Sequence, residues 1–149
     1  KTREECEALL PGLIEQMKAE IKAIKESGKA IIFEGAKSVM LAHAYGYPFA
    51  VASHTYGASE NHLAMLIQAG AKEIILAFDK QYQKPEGKEW DTYQERTEGL
   101  AKRVGACVTV SRICDRDGEF LGYKDAPIDK GKAAFDSLFE RREILTGRG

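Results

Sequence analysis

No stretch of this sequence stays apolar for the about 18 or more residues that a bilayer-spanning helix requires, which excludes a helical membrane protein. Cysteine is scarce. Cys6, Cys107 and Cys114 are odd in number and form no Cys-x-x-Cys pair, which argues against a structural zinc or a disulfide framework and fits a reducing cytoplasm. Neither sign of charge is in surplus: the formal net charge is −1, so any affinity for nucleic acid has to come from a local patch. There is no Gly-Lys-Ser/Thr, hence no P-loop, and no internal repeat or low-complexity tract. A signal peptide and an initiator Met are also missing. Beginning on Lys1 in a charged segment, the chain is expected to be a piece of something longer.

What is present is ordinary in bulk. At 149 residues, with 44% apolar and 30% charged, the chain suits one globular domain large enough for a real core. Thr2 followed by Glu5 reads as a capping box, and Leu10, Leu13, Ile14, Met17, Ile21 and Ile24 recur at helical spacing. This predicts a helix, interrupted at Pro11-Gly12 and stopped at Ser27-Gly28. Strands are predicted over 30–33, 49–53, 74–78 and 107–113. Helices are predicted over 37–45, after a Ser59 cap, after the polar loop 80–89, and over 130–145. Strands alternating with helices imply parallel pairing, with helices on both faces of the sheet.

Ligands of such sheets bind at the carboxyl ends of the strands, and two strands end there on carboxylates: Glu34 before Gly35, and Asp79. A single acidic residue in that place is most simply a solvated or capping group. Two on one edge, joined by Asp115, Asp117, Asp125 and Asp129 after the fourth strand, would repel one another unless a cation neutralised them. Hard oxygen ligands of this kind suit Mg²⁺ or Mn²⁺. Other features read as structural. Asp115 to Glu119 lacks the ligands of a calcium loop and predicts a tight turn, His43 and His62 fall on helices, and Ser53-His54-Thr55-Tyr56-Gly57 matches no nucleophile elbow. Lys80, Lys84 and Lys88 could steer a phosphate chain, although a solvated loop is the simpler reading.

Three stretches in order, "KAIIFEGAKSVMLAHAYGYPFAVAS", "HLAMLIQAGAKEIILAFD" and "YKDAPIDKG", resemble the Toprim domain of bacterial and phage-type DNA primases. The resemblance covers residues 29–139. It implies a Toprim-type three-layer α/β fold of about four mainly parallel strands flanked by helices. Residues 1–28 would be a connector and 29–149 the catalytic domain of a longer chain. It also implies a magnesium (or manganese) site in which Glu34 and Asp79 are catalytic and bind metal, with Asp125 and Asp129 as a distal acidic pair at longer spacing. Lys37, Lys80 and Lys124 would meet nucleotide phosphates. The implied activity is nucleotidyl transfer, synthesising RNA primers from nucleoside triphosphates on single-stranded DNA, with the replicative helicase as a further partner. The alternatives are another Toprim enzyme (a topoisomerase or nuclease) or a degenerate binding module. Two positions depart from the family pattern: Ser38 and Gln81 stand where acidic residues are common.

Overall fold

The computed structural model describes residues 2–53 and 60–146, apart from the side chains of residues 6–11, 13 and 14. Expectations for residues 54–59, including the Ser59 cap, and for Leu10, Leu13 and Ile14 as an apolar stripe therefore lie outside the described residues. In chain order the elements are α1 (Arg3–Ser27), β1 (Lys29–Phe33), α2 (Ala36–Ala44), β2 (Ala50–Ala52), α3 (Glu60–Gln68), β3 (Glu73–Ala77), α4 (Lys88–Val104), β4 (Thr109–Arg112), α5 (Lys132–Glu140) and β5 (Glu143–Thr146).

Helix α1 begins as the sequence predicts: Thr2 Oγ1 accepts the Glu5 amide at 3.1 Å, and Gly28 closes the helix with φ +72°. It runs unbroken through Pro11-Gly12, contrary to the expected interruption. Proline's φ is itself helical, so the local cost is chiefly one lost hydrogen bond and a crowded carbonyl.

The runs Ala30-Ile31-Ile32-Phe33 and Ile74-Ile75-Leu76-Ala77 are fully buried, as befits central strands covered on both faces. The sheet order is β2-β1-β3-β4-β5, parallel from β2 to β4. Alternation along each strand divides the core in two. Ile32, Ile74 and Leu76 pack with Ile24, Leu63, Trp90 and Leu100 beneath α1, α3 and α4. Ile31, Phe33 and Ile75 pack with Val39, Phe135 and Leu138 beneath α2 and α5. The result is the expected three-layer α/β architecture, in which β1 and β3 are neighbours with Phe33 opposite Ala77.

The sheet has five strands rather than four. Residues 143–146, expected to finish the last helix, form β5, which pairs antiparallel with β4. The cause is a long-range anchor. Arg112 on β4 is buried to 1% exposure, and its guanidinium donates to Glu143 Oε1, Thr97 Oγ1 and Gln94 Oε1 at 2.9–3.0 Å. Glu143, opposite Arg112 in the strand register, also accepts from Arg116. Burial alone would raise the Glu143 pKa, but the bonds from Arg116 and Arg112 outweigh it and hold the carboxyl below its usual range.

Glu143→Ala would strand a buried cation and is expected to cost about 3 kcal/mol, read as a lower denaturation midpoint. Glu143→Gln is expected to cost less and to flatten the acid limb of the stability curve. A lowered folded pKa contributes stability above the unfolded value of about 4.5 that is lost as pH falls through the folded one. Identical acid limbs for Glu143→Gln and wild type would contradict this assignment.

Candidate active site

Because β1 and β3 are paired in register, their carboxyl ends deliver Glu34 and Asp79 to the same place. Glu34 Oε2 accepts the Asp79 backbone N–H at 2.7 Å, and Glu34 Oε1 accepts Arg96 Nη2 at 3.0 Å. Arg96 comes from α4, is 12% exposed, and lies with its guanidinium carbon 3.9 Å from the centroid of the Phe78 ring. Gly35, at the N-cap of α2, has an ordinary φ of −124°, and a Cβ there would meet nothing within 4 Å. Its glycine leaves open volume beside the carboxylate rather than relieving a backbone constraint.

The pair carries two carboxyl groups against the one guanidinium of Arg96. Burial first, then the Glu34 charge and hydrogen bond, then the charge of Asp129 push the Asp79 carboxyl up to about 6, with Arg96 opposing. Asp129, exposed at the surface, is thus the distal acidic residue whose field reaches Asp79.

The remaining candidates are distributed differently from expectation. Asp125 Oδ2 accepts the Gly122 amide at 2.7 Å and lies 3.5 Å from Lys130 Nζ, while Asp129 Oδ2 accepts the Ala126 amide at 2.9 Å. Both carboxylates brace their own loop. That loop is stitched to the chain after β3 by Lys80 N–H to Asp125 O (2.9 Å) and Lys124 N–H to Lys80 O (2.7 Å), with Lys124 at φ +69°. Among the described residues, no group of three or more His, Cys, Asp or Glu side chains is gathered closely enough to hold a metal ion. The structure brings Glu34 and Asp79 together, with the charge of Asp129 reaching Asp79, while Asp125 is bonded within its own loop. The physical reason is that loop backbone amides compete successfully for the distal carboxylates.

Asp115, considered from sequence as a compensating ligand, is buried, and its two oxygens accept the amides of Glu119, Phe120 and Leu121. It forms the turn that its neighbourhood predicts. Lys80 is 5% exposed and donates its ammonium to Leu121 O at 3.0 Å inside the protein, where it holds the acidic loop. Lys37, in the first turn of α2 after Gly35, and Lys124 are exposed. Ser38 is buried, and Gln81 lines a small cavity beside Arg96. His43 Nε2 lies 2.9 Å from Ala50 O and 3.7 Å from Glu20, a structural role.

Arg96 is the residue that sequence reasoning missed. Its only sequence signal is that Lys88, Thr92 and Arg96 recur every fourth residue along one face of α4.

Two carboxylates on a hard, negatively charged edge fit one Mg²⁺ or Mn²⁺, an ion that takes one or two protein carboxylates and leaves its other positions to water and phosphate. They do not form a complete cage.

No family model matches the sequence. A stretch of 138 residues is 33% identical to the SPbeta prophage-derived uncharacterized protein YorJ of Bacillus subtilis (strain 168), covering 85% of this chain and 36% of that protein. Among solved structures, the RNA polymerase domain of Mycobacterium tuberculosis primase DnaG, in complex with a double-stranded DNA oligomer bearing a 6-nucleotide overhang, superimposes over 87% of this chain. The TM-score is 0.63 at 24% identity, and 39% of that chain is covered. The Aquifex aeolicus primase (zinc-binding and RNA polymerase domains) gives 0.62 at 20% identity over 87% of this chain and 30% of its own. The Escherichia coli primase catalytic core gives 0.57 at 20% identity over 83% and 38%.

The fold is the Toprim-type fold of bacterial primase cores. The chain spans between 30% and 39% of the length of these four proteins. No described helix is long and apolar enough to cross a membrane.

Proposed function

We propose that this chain is the Toprim catalytic portion of a DNA primase, joining ribonucleotides into short primers on single-stranded DNA. One observation carries the reading: at the carboxyl edge of a primase-type sheet, Glu34 and Asp79 stand side by side, their mutual repulsion only partly offset by Arg96. In this reading residues 1–28 connect to an upstream part of a longer, cytoplasmic protein and residues 29–149 form its catalytic domain, with the replicative helicase as a partner of the whole.

Glu34 and Asp79 would hold Mg²⁺ or Mn²⁺, which when bound neutralises triphosphate charge and makes the primer 3′-hydroxyl more acidic. The protein's own contribution is positional. The Asp79 amide fixes the Glu34 carboxylate, and the open volume at Gly35 admits substrate beside it. Arg96 holds the outer oxygen of Glu34 and balances part of the charge. Lys37 and Lys124, exposed in the first turn of α2 and on the acidic loop, supply positive charge for the template or the triphosphate.

A second reading is favoured by Arg96 itself. A guanidinium seated on Glu34 also suits a degenerate Toprim module that binds partners without catalysis, and failure to bind Mn²⁺ at millimolar concentration would select it.

The test is RNA synthesis. The longest natural protein containing this chain, supplied with single-stranded DNA, ribonucleoside triphosphates and Mg²⁺, is expected to make short RNA products. Cleavage of supercoiled DNA without RNA synthesis would assign it to the topoisomerase or nuclease branch instead.

A further inference from the structure

A cavity of about 250 Å³ adjoins the carboxylate pair, lined by Gln81, Lys88, Glu89, Thr92, Tyr93 and Arg96. Arg96 belongs to both places: it lines the cavity while its Nη2 donates to Glu34. Tyr93, 3% exposed, is a rigid part of the wall, stacked at 5.7 Å on Trp90. Glu89 adds one carboxylate to the lining, and its Oε2 accepts the Tyr123 hydroxyl at 2.5 Å. Lys124 Nζ sits 5.4 Å from the centroid of that same Tyr123 ring. Two cations, Lys88 and Arg96, thus line the space with one carboxylate, Glu89, and Arg96 is also paired with Glu34.

Gln81 completes the pattern. An aspartate at this position would add a second negative charge to the lining, whereas an amide adds none and offers two N–H donors. The Thr92 hydroxyl, which donates to Lys88 O at 2.9 Å, keeps its oxygen lone pairs on the same wall and can turn outward to donate.

The geometry points to this cavity as a metal-independent subsite for a pyrophosphate-like group, held by Lys88, Arg96 and the Gln81 amide. The choice of pyrophosphate rests on the primase reading, in which a triphosphate reacts beside Glu34. The recognition itself rests on the cavity alone. In effect the subsite substitutes fixed side-chain donors for part of the charge neutralisation that a more acidic site would leave to a cation.

The test omits divalent ions and DNA template. Pyrophosphate is titrated into the 149-residue chain in EDTA while backbone amide signals are followed by NMR. Saturable shifts are expected at Gln81, Lys88 and Thr92. Lys88→Ala and Gln81→Glu are each expected to weaken binding about tenfold or more, by the loss of one charge-assisted bond or the gain of one repulsion. Lys102→Ala, in the last turn of α4, should bind as wild type does. No saturable shift, or unchanged affinity in Gln81→Glu, overturns the subsite. So does an oligo(dT) strand that shifts these amides when pyrophosphate does not, since the cavity would then take backbone phosphate. A longer protein that fails to prime DNA leaves this result untouched, and absence of pyrophosphate binding leaves the priming test untouched.

Discussion

Asp79→Asn is expected to abolish divalent-ion binding and, in the same protein, to raise the melting temperature of the ion-free chain. Both effects have one origin. Burial and the Glu34 charge lift the Asp79 pKa from 3.8 to about 6, so the folded ion-free protein holds this proton more tightly than the unfolded chain does. A carboxyl raised in this sense costs stability as pH climbs from the unfolded value to the folded one, and the whole cost is present above about 6. Asp79 is only half-buried, so solvent screening reduces the cost to about 1–2 kcal/mol. Removing it should raise the midpoint by about 2–6 °C at pH 8, with almost no difference near pH 4. Thermal melts at the two pH values, with EDTA present, check this. A destabilised Asp79→Asn at pH 8 would mean that the Asp79 charge is paired in a way the structure does not contain.

Glu34→Gln is expected to act differently on stability while being equally severe for function. Arg96 is partly buried against Phe78 and donates to Glu34. An amide oxygen can still accept from Arg96 and from the Asp79 amide, but the charge assistance is gone. The expected cost is about 1–3 kcal/mol. Primer synthesis by the longer protein should fall by about 100-fold or more, as when a group stabilising transition-state charge is lost. Steady-state priming assays and denaturant melts measure the two arms. Unchanged priming in Glu34→Gln would remove Glu34 from the site.

The contrast between the two carboxylates shows what the sequence could and could not disclose. Apolar runs that stop on Glu34 and Asp79 reveal the strand tips, because central parallel strands are continuous hydrophobic segments and their carboxyl edge is where ligands bind. Strands β1 to β4, the helices between them and the resemblance that placed the acidic pair all follow from such local patterns. The residues that were not legible depend on partners far along the chain. Arg96 is 62 positions from Glu34, and on α4 it looks like one more solvated charge. Residues 143–146 carry a helix-compatible pattern and become β5 only because Arg112, 31 positions away from Glu143, needs that carboxylate. Lys80 looks like a surface lysine beside a polar loop, yet the loop of residues 121–129 folds over it and takes its ammonium inside. Asp125 matches the family segment best by sequence, but both distal carboxylates accept amides of their own loop, and the field felt at Asp79 is that of Asp129.

The central claim is that Glu34 and Asp79 together form a divalent-ion site, and the most direct measurement is the anomalous signal from a crystal of this chain soaked in Mn²⁺. The account predicts a peak bonded to carboxylate oxygens of both Glu34 and Asp79, with no direct bond to Asp115 and none to Asp125. A peak elsewhere, or no peak at saturating Mn²⁺ while the two carboxylates keep their present arrangement with Arg96, would contradict it.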